Sequence, residues 1–135
     1  MKQILLISVL LSSVLFAEGV VNPSQIKTMQ TLEAAMATIQ KGFLYNNETV
    51  VGGGVKDLEV ALKDVDAFVI AADKPITEDK DFNPKAYALT ETAAIGKEAK
   101  ELLELYKDGK KDEAREAYSI VLNRCVVCHK IIRKW

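Results

Sequence analysis

Two Asn-Pro pairs, and the apolar spacing that follows the first of them, direct this chain towards helices. Asn22 precedes Pro23 and Asn83 precedes Pro84, and an asparagine cap with proline in the first turn is a typical helix start. After Pro23, apolar residues recur at spacings of three and four: Ile26, Met29, Leu32, Met36, Ile39 and Phe43. This period puts them on one face of a helix. No segment after residue 20 alternates as a half-buried strand does, so we expect an all-α fold.

The breaks between apolar stripes divide the chain into four predicted helices. The first ends at Asn46-Asn47, and the second is predicted to follow the run Gly52-Gly53-Gly54. The third extends from the second Asn-Pro pair to Asp108-Gly109, and the fourth from about Asp112 to cations near Arg133. Helices with short connections pack as antiparallel neighbours. The sequence therefore predicts one domain, an antiparallel up-down-up-down four-helix bundle.

The first seventeen residues are typical of a secretory signal peptide. Lys2 precedes an apolar run from Ile4 to Ala17, which is shorter than the roughly 20 residues needed to span a bilayer. Small residues allow cleavage after Ala17 or after Gly19. We expect residues 1–17 to be removed, leaving residues 18–135 as a soluble bacterial periplasmic domain without a membrane anchor. An uncleaved anchor is the alternative.

Charge balance and cysteine count exclude several classes of function. With 18 basic and 19 acidic residues the chain has a net charge of −1, which argues against a nucleic-acid partner. The single histidine and both cysteines lie within Cys125–His129. This excludes a zinc site with four Cys or His ligands, a Ser-His-Asp mechanism with a histidine elsewhere, and a multi-disulfide scaffold.

The chemistry of the chain is concentrated in Cys125-Val126-Val127-Cys128-His129. Positions i, i+3 and i+4 share one helical face. The thiols of Cys125 and Cys128 can therefore form thioethers with the two vinyl groups of one haem. From the same side, the imidazole of His129 can meet the iron. This spacing is typical of c-type haem attachment, so we expect one covalently bound haem c per chain.

Three other uses of these residues compete with haem. A thioredoxin-like C-x-x-C opens a helix after a strand, whereas this motif lies near the end of a predicted helix. Structural zinc requires four ligands, and the motif offers three. A disulfide between Cys125 and Cys128 would account for the thiols but not for His129. Haem is the interpretation that uses all three residues.

These features together resemble the class II c-type cytochromes, the cytochrome c-prime family, in which four helices carry C-x-x-C-H near the C-terminus. The resemblance covers the whole of residues 18–135. It rests on the capped first helix and on a run in the fourth: Gly109, Asp112, Ala114, Tyr118, Cys125, Cys128, His129 and Arg133. It implies that Arg133 lies near the haem edge. Arg133 also follows His129 by four residues on the same helical face, so it can pair with a propionate; a solvated cation is the alternative. It also implies a homodimer as one candidate oligomeric state.

The residue on the second side of the iron separates two functions. In an up-down-up-down bundle Met29 falls at about the level of His129, whereas Met36 lies roughly 10 Å deeper. The resemblance agrees with Met29, because low-spin members take a methionine from this part of the first helix. High-spin members carry an apolar residue there and leave the iron open. Relatives often have an arginine one turn earlier, where this chain has Gln25. For either methionine the alternative is core packing.

The sequence and the resemblance predict a periplasmic monohaem electron carrier that is not an enzyme, with His129 and Met29 as iron ligands. Its partners are redox proteins that no motif identifies. The alternative is a five-coordinate haem protein that binds NO or CO, and a third hypothesis is a haem-free thiol protein. Four residues at the end of the second helix and the start of the third are candidates for the haem pocket wall, with core packing as the alternative: Phe68, Val69, Phe82 and Tyr87.

Overall fold

The computed structural model describes residues 22–68 and 81–133, which are helical apart from short connections. The helices are α1 (Pro23–Leu44), α2 (Glu48–Lys63), α3 (Pro84–Lys107) and α4 (Lys111–Arg133), and a short 3-10 turn, Asp64–Ala67, continues α2. No strand occurs within the described ranges. The predicted all-α class is confirmed, and the architecture is compatible with a helical bundle. The predicted signal segment and Val69 lie outside the described residues.

Asparagine caps start three of the four helices. The side-chain oxygens of Asn22 and Asn83 accept hydrogen bonds from backbone N–H groups two and three residues later, both at 3.0 Å. Asn47 accepts one at 3.1 Å and so starts α2 at Glu48. The prediction that the second helix follows the glycine run was wrong, because Gly52-Gly53-Gly54 lies inside α2.

Two glycines let α1 and α2 approach more closely than larger residues would allow. A Cβ on Gly54 would lie 2.8 Å from the backbone nitrogen of Ile39 and 2.9 Å from the carbonyl oxygen of Ala35. A Cβ on Gly42 would lie 2.7 Å from the backbone nitrogen of Val51. Glycine inside a helix costs about 1 kcal/mol relative to alanine. Close helix packing offsets that cost here. Helix propensity alone does not predict this packing.

Contacts between consecutive helices pair residues in reverse order along the two helices. In the glycine contacts, a later residue of α1 meets an earlier residue of α2. The contacting residues of α2 and α3 follow the same reversed order. An ion pair between α3 and α4 follows it as well. The contacting pairs are Gly52 with Leu103, Leu62 with Gly96, and Glu91 with Arg124. The ends of α1 and α3 and the starts of α2 and α4 therefore share one end of the molecule.

The core is closed at that shared end. The ring of Phe43 meets Tyr106 edge to face at 5.0 Å and Tyr118 at 6.0 Å between centroids. The Tyr106 hydroxyl donates to Oδ1 of Asn46 at 3.2 Å. From there one buried apolar cluster extends along the helices: Ala35, Met36, Ile39, Val51, Val55, Leu58, Ile95, Ala99, Leu102, Tyr106, Ala114, Ala117 and Val121. Within the described part of α4, Val121 is the last buried residue.

Candidate functional site

The segment Cys125–His129 lies on α4 beyond the last buried residue of that helix. Cys125, Cys128 and His129 are all half-buried, and Cys125 packs against the edge of the core cluster. The helix is continuous through the segment, so the three side chains lie on one face of α4. The two valines between the cysteines are exposed. The motif thus turns its sulfurs and imidazole inward at the place where the closed core ends.

Burial disfavours the charged forms of the two thiols and the imidazole. It raises the pKa of the Cys125 thiol. It also raises the pKa of Cys128, with the Glu91 carboxylate and then Cys125 as further causes. For His129 burial lowers the pKa, and the Arg133 guanidinium lowers it further. The two sulfurs are not bonded to each other. A neutral imidazole can ligate a metal, whereas raised pKa values disfavour the thiolates on which thiol–disulfide exchange depends.

Two residues of α3 lie against this part of α4. Nη1 of Arg124 donates to Oε2 of Glu91 at 3.2 Å, and the Glu91 side chain is 15% exposed. Burial raises the pKa of Tyr87; Glu91 and Cys128 raise it further, and Arg124 opposes them. Tyr87 was predicted for this end of the molecule, whereas the ion pair was not. Its two members lie 33 residues apart and belong to no local motif, so only the fold reveals it.

The start of α3 gathers the aromatic residues that were predicted for a pocket wall. The rings of Phe82 and Tyr87 lie 5.6 Å apart between centroids. Nζ of Lys85 donates to the backbone oxygen of Phe68 at 3.1 Å, which ties the residue after the 3-10 turn to α3. The Cys128 thiol contributes to the raised pKa of Tyr87, so this group of aromatic residues lies at the same end of the molecule as the motif.

The two methionines of α1 lie in different surroundings. Met36 is 8% exposed and belongs to the closed core, whereas Met29 is half-buried. The contact between Phe43 and Tyr118 relates α1 to α4. Met29 lies fourteen residues before Phe43, and His129 lies eleven after Tyr118. At the helical rise, the distances of Met29 and His129 from this ring contact, measured along their own helices, differ by about 5 Å.

Within the described ranges, no three His, Cys, Asp or Glu side chains are grouped to hold a metal ion. Among the same residues, no helix is both long enough and apolar enough to cross a membrane. The chain matches no protein-family model, no curated protein and no solved structure. Membership of the class II cytochromes therefore stays a prediction from sequence.

Proposed function

We propose that the chain is a periplasmic monohaem c-type cytochrome that carries electrons. Cys125 and Cys128 hold the haem, and His129 and Met29 ligate its iron. The observation that carries this proposal is the half-buried face of α4, where both cysteines and the single histidine of the chain lie together. In this proposal the helices form an up-down-up-down four-helix bundle with the haem near the end of α4.

The residues at the site fit a haem in chemistry and in surroundings. Two thiols that are not bonded to each other are available for addition to two vinyl groups, and a neutral imidazole suits ligation of iron. The inner face of α4 continues beyond the closed core through Cys128 to Ile132, and both are half-buried. Covering apolar surface of this kind lowers the free energy of the protein in water. A haem would cover it.

When bound, haem supplies one-electron transfer between ferrous and ferric iron. The residues of the chain do the rest. Thioethers of Cys125 and Cys128 would keep the group attached. His129 and Met29 would supply a nitrogen and a sulfur ligand to its iron, and Met29 would exclude water. Apolar burial and methionine ligation both favour the reduced state and raise the reduction potential. No substrate is transformed, and the partners are redox proteins.

The first test asks whether haem is bonded to the chain. The protein is produced with a periplasmic haem-attachment system and then extracted in acid acetone. We expect haem to stay with the denatured polypeptide of the wild type. In the double variant Cys125→Ala/Cys128→Ala it should be lost. Haem that is extracted from the wild type would contradict covalent attachment, and a wild type without haem would support the thiol-protein hypothesis.

The second test addresses the ligand contributed by α1. We expect the ferric wild type to be low-spin with a sulfur-to-iron charge-transfer band, and this band should disappear in Met29→Leu. Met36→Leu is the matched control, because it changes a methionine of the same helix that is buried in the core. That variant should keep the band. A high-spin wild type that binds CO readily would instead support the gas-binding alternative.

A further inference from the structure

Arg124 carries a buried N–H group that lacks an acceptor. Its Nη1 donates to Oε2 of Glu91 at 3.2 Å, which holds the guanidinium against α3. Its Nε, by contrast, is buried and has no hydrogen-bond partner within the described residues. Buried donors are almost always paired, and an unpaired donor on a charged group is costly. The position therefore requires an acceptor that residues 22–68 and 81–133 do not supply.

The unpaired group lies beside the proposed haem site. Arg124 directly precedes Cys125 on α4. Cys128 lies four residues after Arg124 on the continuous helix α4, so the two side chains share one face of that helix. The ion pair and the second cysteine of the motif are thus close neighbours on the α3 side of α4.

We propose that Nε–H of Arg124 donates to a propionate carboxylate of the haem and that Glu91 positions the guanidinium for this contact. The proposal rests on the proposed function, since the acceptor belongs to the haem. A guanidinium presents parallel donors that match a carboxylate, and it is the cation of choice for partly buried pairs. Glu91 occupies Nη1 and leaves the Nε edge to the propionate.

The geometry separates Arg124 from the arginine that the resemblance indicates. Arg133 lies nine residues further along α4, which is two and a half turns, so the two side chains leave the helix on opposite flanks. Arg133 is exposed, whereas the Arg124 side chain is 34% exposed and held by an ion pair. Arg124 is therefore the better prepared partner, and Arg133 is the competing candidate.

The test compares the two arginines in the haem-loaded protein. We expect Arg124→Gln to shift the propionate bending modes in the resonance Raman spectrum, and Arg133→Gln to leave them unchanged. Glu91→Gln should produce a smaller shift in the same direction, because the guanidinium keeps its charge but loses its fixed position. Modes that are unchanged in Arg124→Gln, or that shift only in Arg133→Gln, would overturn the proposal.

A second measurement needs no variant of Arg124 and guards against misfolding. In nitrogen-15 spectra of the reduced wild type, we expect Nε–H of Arg124 to exchange with water about tenfold more slowly than in the haem-free Cys125→Ala/Cys128→Ala protein, as one charge-assisted hydrogen bond implies. Equal exchange rates in the two proteins would mean that water, not a propionate, accepts the hydrogen bond from Nε–H of Arg124. That result would overturn the proposal. Failure of the proposed function looks different, because a wild type without haem has no propionate modes.

Discussion

At the scale of single residues, the raised pKa values of Cys125 and Cys128 make the stability of the haem-free protein depend on pH. In the unfolded chain these thiols ionise near 9.0, and in the folded protein they ionise only at higher pH. Above pH 9 the folded state therefore holds more protons than the unfolded state. Its free energy of unfolding then falls as pH rises through the folded pKa values.

We predict that haem-free wild type loses more stability between pH 8 and about pH 10 than Cys125→Ala/Cys128→Ala does, as urea unfolding at the two pH values would measure. Tyr87 and Tyr118 also have raised pKa values, so the double variant keeps a residual loss. In the haem-loaded protein the thiols have become thioethers, and that protein should behave like the double variant. An equal loss in haem-free wild type and double variant would show that the thiols are not protected by the fold.

Single residues also show how far the sequence predicts the candidate site. The spacing of Cys125, Cys128 and His129 places them together on any helix, so the motif can be recognised without a fold. Glu91 and Arg124 each look like an ordinary surface charge until α3 and α4 are packed. The burial that shifts the thiol pKa values is likewise a property of the packed helices, and no local sequence pattern contains it.

At the scale of elements, the contact between α1 and α2 depends on glycine at position 54. In Gly54→Ala the new Cβ would press against backbone atoms of α1, which cannot rotate away as a side chain can. We expect a loss of about 1–3 kcal/mol in the free energy of unfolding, as for other overpacked positions. Urea unfolding of the haem-free protein measures it.

The matched control is Gly53, one residue earlier in the same helix. A Cβ at Gly53 meets nothing within 4 Å. Gly53→Ala should therefore stabilise the protein by about 1 kcal/mol through helix propensity alone. If both alanine variants are stabilised, the close approach of α1 and α2 is not as described.

The start of α2 also shows why one element was predicted wrongly. Asn22-Pro23 and Asn83-Pro84 each combine an asparagine cap with a proline in the first turn. Both predicted helix starts were confirmed. At α2 the single cap Asn47 competes with a glycine run that normally breaks helices. Tertiary packing outweighs that preference, and packing against α1 cannot be derived from the residues of α2 alone.

At the scale of the whole molecule, the two ends of the helical assembly are unlike. One end is closed by the Phe43, Tyr106 and Tyr118 rings. At the other end, α4 presents half-buried residues after Val121. A group that binds only the folded state stabilises what it contacts, so haem should protect the open end and leave the closed end nearly unchanged.

We predict that hydrogen exchange detected by mass spectrometry shows this contrast. In the haem-free protein, amides of residues 125–133 should exchange faster than those of residues 114–121, because local opening costs less where fewer groups are buried. In the haem-loaded protein, residues 125–133 and the turn around Met29 should become slower. The segment around Tyr106 is the internal control. Protection that rises equally everywhere would contradict a haem at the open end.

The close approach of α1 and α2 also has a kinetic meaning. Only three residues, 45–47, join the two helices, so little chain entropy is lost when they meet. Contacts that are short in sequence form early, and three residues, 108–110, likewise join α3 and α4, so both hairpins are expected to belong to the folding nucleus. Gly54→Ala should then slow folding, whereas changes near Cys125 should mainly speed unfolding. The end of the molecule that carries the short connections would set how fast the chain folds, and the end with the proposed haem would set how long the folded state lasts.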